Sequence, residues 1–201
     1  MSDIPPELDE NLHHFASGGK DVEWLPPLPI KYYTVAHIVQ NNKILLGYKK
    51  RGFGQGKYNG FGGKVEPNET SLEAAMRELE EEAGIRAPLK HVGVLLFIVS
   101  GAEKTFHIDI YYASEFEGTP TESDEMRPEW FSLSPPPPNN AMTAEDTNQL
   151  PPIPWDKMWD TDQCWIPLLP QGRAFRGRAD FDKDENGSFV PRRWWYGLLD
   201  E

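Results

Sequence analysis

The stretch from Gly63 to Ile85, GKVEPNETSLEAAMRELEEEAGI, constrains this chain more than any other. Thr70 is a suitable N-cap residue, and Glu73 three residues later completes a capping box. Gly84 suits the left-handed position that follows the last turn of a helix. The spacing therefore predicts one helix between Thr70 and Gly84. Apolar residues recur within it at helical spacing and are expected to face a core: Leu72, Ala75, Met76, Leu79 and Ala83.

Three glutamates of this predicted helix, Glu78, Glu81 and Glu82, stand three and four residues apart and share the other face. Like charges this close repel each other unless a cation lies among them. Carboxylate oxygens at this density suit a hard divalent cation, Mg²⁺ or Mn²⁺. A solvated row of glutamates is the alternative, but the spacing and the flanking glycines favour a metal site.

The same stretch resembles the signature of the Nudix hydrolases. That signature reads glycine, five residues, glutamate, seven residues, and then Arg-Glu-apolar-x-Glu-Glu-x-Gly-apolar. Every specified position is met, by Gly63, Glu69, Arg77, Glu78, Leu79, Glu81, Glu82, Gly84 and Ile85. The resemblance implies the Nudix fold and the hydrolysis of a nucleoside diphosphate linked to another group. It also implies that Arg77, Glu78, Glu81 and Glu82 are catalytic, and it leaves open which glutamate is the general base.

Composition divides the chain into a tail and one domain. Residues 1–30 are acidic and rich in proline and are expected to form a flexible extension, with residues 31–201 as a single domain. The proline-rich residues 134–154 are expected to form an exposed loop inserted in that domain. Runs of aromatic and β-branched residues predict strands at 31–39, 43–48, 92–101, 105–114 and 129–133, a second helix within 155–169, and a hairpin turning at 185–187. This order predicts an α/β protein, an α/β/α sandwich around a mixed sheet.

The charge of the chain limits its partners. A net charge of −12 argues against binding polymeric nucleic acid but permits a small nucleotide beside a metal ion and a local basic cluster. Residues 49–64, KKRGFGQGKYNGFGGK, supply such a cluster, with six glycines and five cations. The single cysteine, Cys164, suits a reducing compartment, and the cytoplasm is expected. No apolar run is long enough for a bilayer, so no membrane contact is expected, and a monomer is expected.

Three further segments resemble those of the animal oxidised-purine nucleoside triphosphatases, a group of Nudix hydrolases: LLGYKKRGFGQGKYNGFGGKV, GTPTESDEMRPEWF and KMWDTDQCWIPLL. The resemblance implies Mg²⁺-dependent hydrolysis of oxidised purine nucleoside triphosphates, such as 8-oxo-dGTP, to the monophosphate and pyrophosphate. The implied metal ligands are the Gly62 carbonyl, Glu78, Glu81, Glu82 and Glu125. The implied phosphate contacts are Lys49, Phe61, Gly62, Gly63 and Lys64. The implied base pocket consists of Thr34, Phe53, Asn59, Phe97, Trp159, Thr161, Asp162 and Trp165.

That pocket suits a purine, which needs flat aromatic walls and a few fixed polar groups at its edge. Where the animal enzymes carry two adjacent aspartates, this chain reads Thr161-Asp162. A threonine cannot exchange a proton with its neighbour as a second carboxyl can, so a narrower range that favours oxidised guanine is expected. Two alternatives stay open. One is a Nudix hydrolase of a dinucleoside polyphosphate, an NAD-like dinucleotide or a capped RNA end, and the other is a non-catalytic nucleotide-binding module.

Overall fold

The computed structural model describes residues 4–8, 11–134, 150–185 and 187–200. The strands are β1 (Leu12–Gly19), β2 (Ile30–Gln40), β3 (Lys43–Lys49), β4 (Tyr58–Asn59), β5 (Ile85–Arg86), β6 (Lys90–Val99), β7 (Thr105–Ala113), β8 (Glu117–Gly118), β9 (Met126–Ser132), β10 (Phe175–Lys183) and β11 (Phe189–Leu199). The helices are α1 (Ser71–Ala83) and α2 (Asp162–Trp165), with 3₁₀ turns at Trp155–Lys157 and Ile166–Gln171. No helix in the described part of the chain is long and apolar enough to cross a bilayer.

One nine-stranded sheet organises these elements, in the order β1-β11-β10-β6-β7-β2-β3-β4, with β9 also paired to β3. The pairs β2–β7 and β6–β10 are parallel, and the other neighbours in the sheet are antiparallel. Strands β5 and β8 form a separate antiparallel pair. The predicted α/β class with a mixed sheet is confirmed.

Helix α1 covers one face of the sheet and begins and ends where the sequence predicts. The Thr70 hydroxyl accepts a hydrogen bond from the Glu73 amide at 3.2 Å, and the Glu73 carboxylate accepts one from the Thr70 amide at 2.7 Å. Gly84 follows the last turn with φ of 70°, a left-handed conformation that favours glycine. Leu79 packs with Ile38 of β2 in one core cluster. This packing places the glutamates of α1 beside β2.

The buried side of α1 differs in part from the expected one. Leu72 and Met76 are 40% and 46% exposed, whereas Glu82, expected on a solvated face, is 4% exposed. The stripe that meets the sheet is centred on Ala75, Leu79 and Glu82, which are four and three residues apart. Met76 lies about 100° around the helix from Ala75 and so points away from the sheet.

The second layer lies on the opposite face and is shorter than predicted. The helix expected within 155–169 consists of α2, four residues long, and the 3₁₀ turn Ile166–Gln171. Pro167 and Pro170 lie in this turn, and because proline has no amide hydrogen, a longer α-helix cannot form there. Trp165 of α2 nevertheless packs into the main core against Phe175 of β10.

Two expected segments need correction, the N-terminal extension and the inserted loop. The N-terminal region is not simply a flexible extension, because Leu12–Gly19 form the edge strand β1, antiparallel to β11. Strand pairing satisfies backbone groups and does not need an apolar sequence, so composition alone does not reveal it. Residue 30 is therefore not a boundary of the sheet.

Of the expected loop 134–154, residues 135–149 lie outside the described residues, while Pro152 pairs with Ser132 and Ile153 is buried.

Candidate active site

Gly62 and Gly63 lie in an extended segment between β4 and α1 that runs antiparallel to β2, with bridges at Ala36–Phe61 and Tyr33–Lys64. The Thr34 amide donates to the Gly63 carbonyl at 2.9 Å, which fixes this segment against β2. A Cβ on Gly62 would lie 1.9 Å from the Thr34 carbonyl oxygen, and a Cβ on Gly63 would lie 2.4 Å from Glu78 Oε1. Only glycine allows this approach, so the segment brings its backbone directly against the carboxylates of α1.

Glu82 is the most buried of the glutamates around Gly62 and Gly63. Its Oε2 accepts the Gly62 amide at 2.8 Å, and its Oε1 accepts Lys49 Nζ at 3.0 Å. Burial raises the pKa of Glu82 to about 7, although Lys49 and the Gly62 amide oppose the shift. Lys49 also pairs with Glu125. Burial alone would lower the pKa of Lys49, but its bonds to Glu125 and Glu82 outweigh burial and raise it.

Arg77 holds the other glutamates of the signature. Its Nε and Nη2 donate to the two oxygens of Glu69 at 3.1 and 2.8 Å, a bidentate pair. Its Nη1 donates to Glu78 at 2.8 Å and to Glu81 at 3.2 Å. The bond to Glu69 is the main cause of the raised pKa of Arg77. The crowded carboxylates are therefore divided between two cations, Arg77 and Lys49.

The predicted metal ligands do not converge in this conformation. Within the described parts of the chain, no group of three or more His, Cys, Asp or Glu side chains is arranged to hold a metal ion. The carboxylates do not face a common point because Arg77 binds those of Glu69, Glu78 and Glu81, while Lys49 binds those of Glu82 and Glu125. The donor set still fits a hard divalent cation, because every donor is oxygen and because Glu82 and Glu125 already reach one cation, Lys49.

A cavity of about 800 Å³ opens beside this carboxylate cluster. Lys49, Gly62, Gly63 and Glu125 line one end of it. Its volume is in the upper part of the range for small-molecule sites. Seven of the eight residues predicted for the base pocket line the cavity: Thr34, Phe53, Asn59, Phe97, Trp159, Asp162 and Trp165. Residues from β2, β4, β6, α2 and the loops before β4 and α2 thus meet around one space.

Aromatic rings surround the mouth of the cavity. The Phe53 ring stacks on Trp159, with centroids 5.4 Å apart and planes at 21°, and on Phe106 at 6.2 Å and 14°. Phe189, at the start of β11, lies 5.6 Å from Phe53. Phe53 is 65% exposed and therefore lies at the rim.

The glycine-rich loop that carries Phe53 is bonded to the residues just before α2, which also border the cavity. Gly52 and Gly56 have φ of 78° and 85°, left-handed values that favour glycine. Lys57 Nζ donates to the Met158 carbonyl at 2.7 Å and lies 5.0 Å from the centre of the Trp159 ring. Lys57 lines the cavity but was not among the predicted site residues, because a lysine in a basic loop has no distinguishing local signal.

The interior of the cavity offers a small number of polar groups. Asp162 is buried, which raises its pKa to about 7, and its Oδ2 accepts the Trp159 amide at 3.2 Å. Asn59 Oδ1 accepts the Gly60 amide at 2.8 Å, so the side chain is held in one orientation. The hydroxyl of Thr34 is buried and has no hydrogen-bond partner within the described residues. A ligand with several donors and acceptors on a flat edge would match these groups.

Three predicted site residues lie elsewhere. Thr161 is buried and does not line the cavity; its hydroxyl lies beside the buried phenol of Tyr196, too loosely for an ordinary hydrogen bond. The Phe61 side chain is in the core with Leu79 rather than at the cavity. Lys64 pairs with Glu66 at 3.1 Å on the surface. Of the predicted phosphate contacts, Lys49, Gly62 and Gly63 line the cavity.

Phe181 and Phe189 were missed by the sequence analysis, although both line the cavity. Alternation along β10 places Phe181 on the same face as Phe175, which packs against Trp165. That alternation was a usable signal for Phe181. No local motif marks Phe189, since it reaches the cavity only through the pairing of β10 with β11.

Comparison with known proteins agrees with this architecture. The NUDIX domain model matches residues 31–151. Mouse oxidized purine nucleoside triphosphate hydrolase is 40% identical over 156 residues, which cover 77% of this chain and 89% of the mouse protein. The zebrafish protein of the same name is 41% identical over 152 residues, covering 75% and 86%. The crystal structure of the MutT mutator protein from Bacillus halodurans superimposes with a TM-score of 0.55 and 24% identity, covering 84% of this chain and 97% of that one, a likeness of fold alone.

Members of the NUDIX family generally need a divalent metal ion, in keeping with the oxygen-rich donor set beside Gly62 and Gly63. The family model spans more than half of the chain, and the two vertebrate relatives match three quarters of it. The signature between Gly63 and Ile85 lies on the helix and the segment before it, where the fold presents the carboxylates. This chain belongs to the NUDIX family.

Proposed function

We propose that the protein hydrolyses oxidised purine nucleoside triphosphates, such as 8-oxo-dGTP, to the monophosphate and pyrophosphate, with Mg²⁺ or Mn²⁺ as cofactor. The observation that carries the proposal is a cavity with aromatic walls and fixed polar side chains, Asn59 and Asp162 among them, that ends at Lys49, Gly62 and Gly63. These three residues contact the carboxylates of Glu82 and Glu78 on α1. The names of the mouse and zebrafish relatives give the same activity, which supports the proposal.

The base would bind between the rings at the mouth and the polar groups inside. Trp159 and Phe53 offer flat apolar surfaces that match the faces of a purine. The Asp162 carboxylate accepts N–H donors such as those on the guanine edge, and Asn59 both donates and accepts. A site of this kind discriminates through hydrogen bonds, because a base with the wrong order of donors leaves buried groups unpaired.

The triphosphate would extend toward Gly62 and Gly63. Glu78, Glu81, Glu82, Glu125 and the Gly62 carbonyl would hold the metal ion there. When bound, such an ion neutralises phosphate charge and lowers the pKa of a coordinated water. Lys49 Nζ, at the same end of the cavity, would offset the remaining phosphate charge. Arg77 holds Glu78 from the outer side and so keeps its carboxylate beside Gly63.

The test is a substrate panel at one Mg²⁺ concentration: 8-oxo-dGTP, 2-hydroxy-dATP, dGTP, dATP and a dinucleoside tetraphosphate. Release of monophosphate and pyrophosphate would be measured for each. We expect kcat/KM for 8-oxo-dGTP to exceed that for dGTP by at least about tenfold, the scale of the net contribution of one hydrogen bond. Preferred cleavage of the dinucleoside tetraphosphate, or no turnover of any nucleotide, would contradict the proposal.

A further inference from the structure

A segment that precedes β2, residues 20–28, lies across β10 and β11 and is called here the N-terminal strap. Its Trp24 ring contacts two guanidinium groups, 5.0 Å from that of Arg178 and 4.6 Å from that of Arg193. Arg193 also donates to the Val22 carbonyl at 2.8 Å. The strap lies outside the residues that the NUDIX domain model matches.

The strap completes a buried ion pair on β10. Arg178 and Asp180 are both fully buried, and two guanidinium nitrogens of Arg178 donate to Asp180 at 3.0 and 3.2 Å. The Leu25 carbonyl accepts from Arg178 at 2.6 Å, and the Leu25 amide donates to Asp180 at 2.6 Å. A buried ion pair is tolerated only when its remaining hydrogen-bonding groups are satisfied. The backbone of Leu25 provides part of that satisfaction, and the Pro6 carbonyl and the Glu7 carboxylate, which both accept from Arg178 Nη1, provide the rest.

The strap lies directly behind one wall of the cavity. Successive side chains of a strand point to opposite faces, so Arg178 and Asp180 face the strap while Phe181 faces the cavity. Phe181 packs edge-on against Phe97 of β6 at 5.3 Å, and both rings line the cavity. The bonds of the strap to β10 therefore fix the strand that carries part of the base pocket.

We propose that Trp24 is a positioning residue for the base pocket, acting through Arg178 and β10. The identity of the nucleotide rests on the proposed function, but the effect on β10 does not. The phosphate end of the site lies on β2, β3 and α1, and β6 and β7 separate these elements from β10 in the sheet. Loss of the Trp24 ring is expected to weaken nucleotide binding and to leave the chemical step nearly unchanged.

The experiment compares Trp24→Ala with Trp24→Phe, which keeps an aromatic face, and with Glu23→Ala, which alters the exposed neighbouring side chain. Hydrogen exchange of residues 175–183 would be measured without nucleotide, and kcat and KM with 8-oxo-dGTP. Trp24→Ala should speed exchange of β10 and raise KM about five- to tenfold, the scale of losing two partly buried cation–π contacts, with kcat within about twofold. Trp24→Phe should keep both the β10 exchange rate and KM close to those of the wild-type protein, and Glu23→Ala should change neither quantity.

A second variant, Arg193→Gln, removes one of the two cations and leaves the buried pair intact, so it tests the same idea if Trp24→Ala does not fold. It should raise KM to a smaller extent. Unchanged KM with normal β10 exchange, or a loss of thermal stability with unchanged KM, would overturn the positioning role. Failure of the wild-type protein to hydrolyse 8-oxo-dGTP would instead contradict the proposed function, and the exchange of β10 would still decide the role of the strap.

Discussion

Burial and charge conflict most directly at Glu82. Its side chain belongs to a row of glutamates that sequence alone assigns to a solvated face, yet it lies beneath Lys49 and against the Gly62 amide. The local pattern could not show this, because Lys49 is on β3 and Gly62 is in a segment beside β2 that only the packed fold brings to α1. A similar limit applies to Thr161, whose neighbour Asp162 faces the cavity while Thr161 faces the core.

Replacing Glu82 with glutamine tests the carboxylate. Glu82→Gln keeps an acceptor for the Gly62 amide but loses the charge that Lys49 and a divalent ion require. We expect kcat to fall by at least about 10²-fold, the scale of losing a key electrostatic group. The matched control is Glu80→Gln on the same helix, since Glu80 pairs with Arg86 on the surface. Steady-state kinetics and circular dichroism of both variants provide the check, and equal activity of the two would contradict the role of Glu82.

Asp162 predicts a dependence of stability on pH. Its pKa is about 7 in the folded protein, against about 3.9 in an unfolded chain. Between these pKa values the folded state binds more protons than the unfolded state. The contribution of Asp162 to the free energy of unfolding therefore falls as pH rises from about 4 to about 7 and is constant above pH 7. The full difference is at most about 4 kcal/mol.

The variant Asp162→Asn removes this titration. Its free energy of unfolding, taken relative to the wild-type protein, should therefore increase between pH 5 and pH 8. Urea denaturation at several pH values measures the difference, and the contribution of Glu82, whose pKa is also raised, cancels in it. Asp160→Asn, a change at an exposed neighbour whose charge is a minor cause of the raised pKa of Asp162, should leave most of the pH dependence of the wild-type protein in place. A difference that does not vary with pH would contradict the effect of burial on the carboxyl of Asp162.

A helix or strand can be predicted from the sequence when the residues that determine it lie within or next to that element. Helix α1 was predicted to its ends because its caps are determined by Thr70, Glu73 and Gly84 themselves. Strands β2, β3 and β7 follow from runs of β-branched and aromatic residues. Strand β1 could not be predicted from its composition, because its stability depends on the edge of β11, about 180 residues away along the chain. The aromatic walls of the cavity were predicted in part, and only through resemblance to a family.

The N-cap of α1 gives a prediction for an element. Thr70→Ala removes the acceptor for the Glu73 amide and should lower the free energy of unfolding by about 1 kcal/mol. Thr70→Ser keeps the hydroxyl and should cost much less. Chemical denaturation of both variants measures this, and equal losses would show that the hydroxyl is not the stabilising group.

The proline-rich segment gives a second prediction at this scale. Residues 135–149 contain few large apolar side chains, so little core is expected to depend on them. Replacing them with a short Gly/Ser linker, while keeping Pro152 and Ile153, should preserve turnover and shift the melting temperature only slightly. The paired control deletes residues 151–153 as well, which removes a buried isoleucine and should destabilise the protein. A cooperative collapse with the first change would contradict the expectation that this segment is an inserted loop.

For the whole molecule, the question is how an acidic chain keeps five carboxylates close to a site for an anionic substrate. The net charge is −12, and these crowded glutamates are part of it. Two internal cations compensate in part, Arg77 for Glu69, Glu78 and Glu81, and Lys49 for Glu82 and Glu125. The charge near Gly62 and Gly63 thus remains negative, which attracts a divalent cation before any nucleotide binds.

This balance predicts that a divalent cation stabilises the folded protein without substrate. A ligand that binds only the folded state adds about 1.4 kcal/mol to stability at ten times its dissociation constant, or about 3–6 °C in melting temperature for a chain of this size. Mg²⁺ should therefore raise the melting temperature, and EDTA should reverse the rise and abolish turnover. NaCl at equal ionic strength is the control, because screening of the net charge alone would act with either salt. In Glu82→Gln the Mg²⁺-specific part of the rise should disappear while the NaCl effect remains. If NaCl reproduces the whole effect in the wild-type protein, the cation acts on the overall charge and the carboxylates of α1 do not form its site.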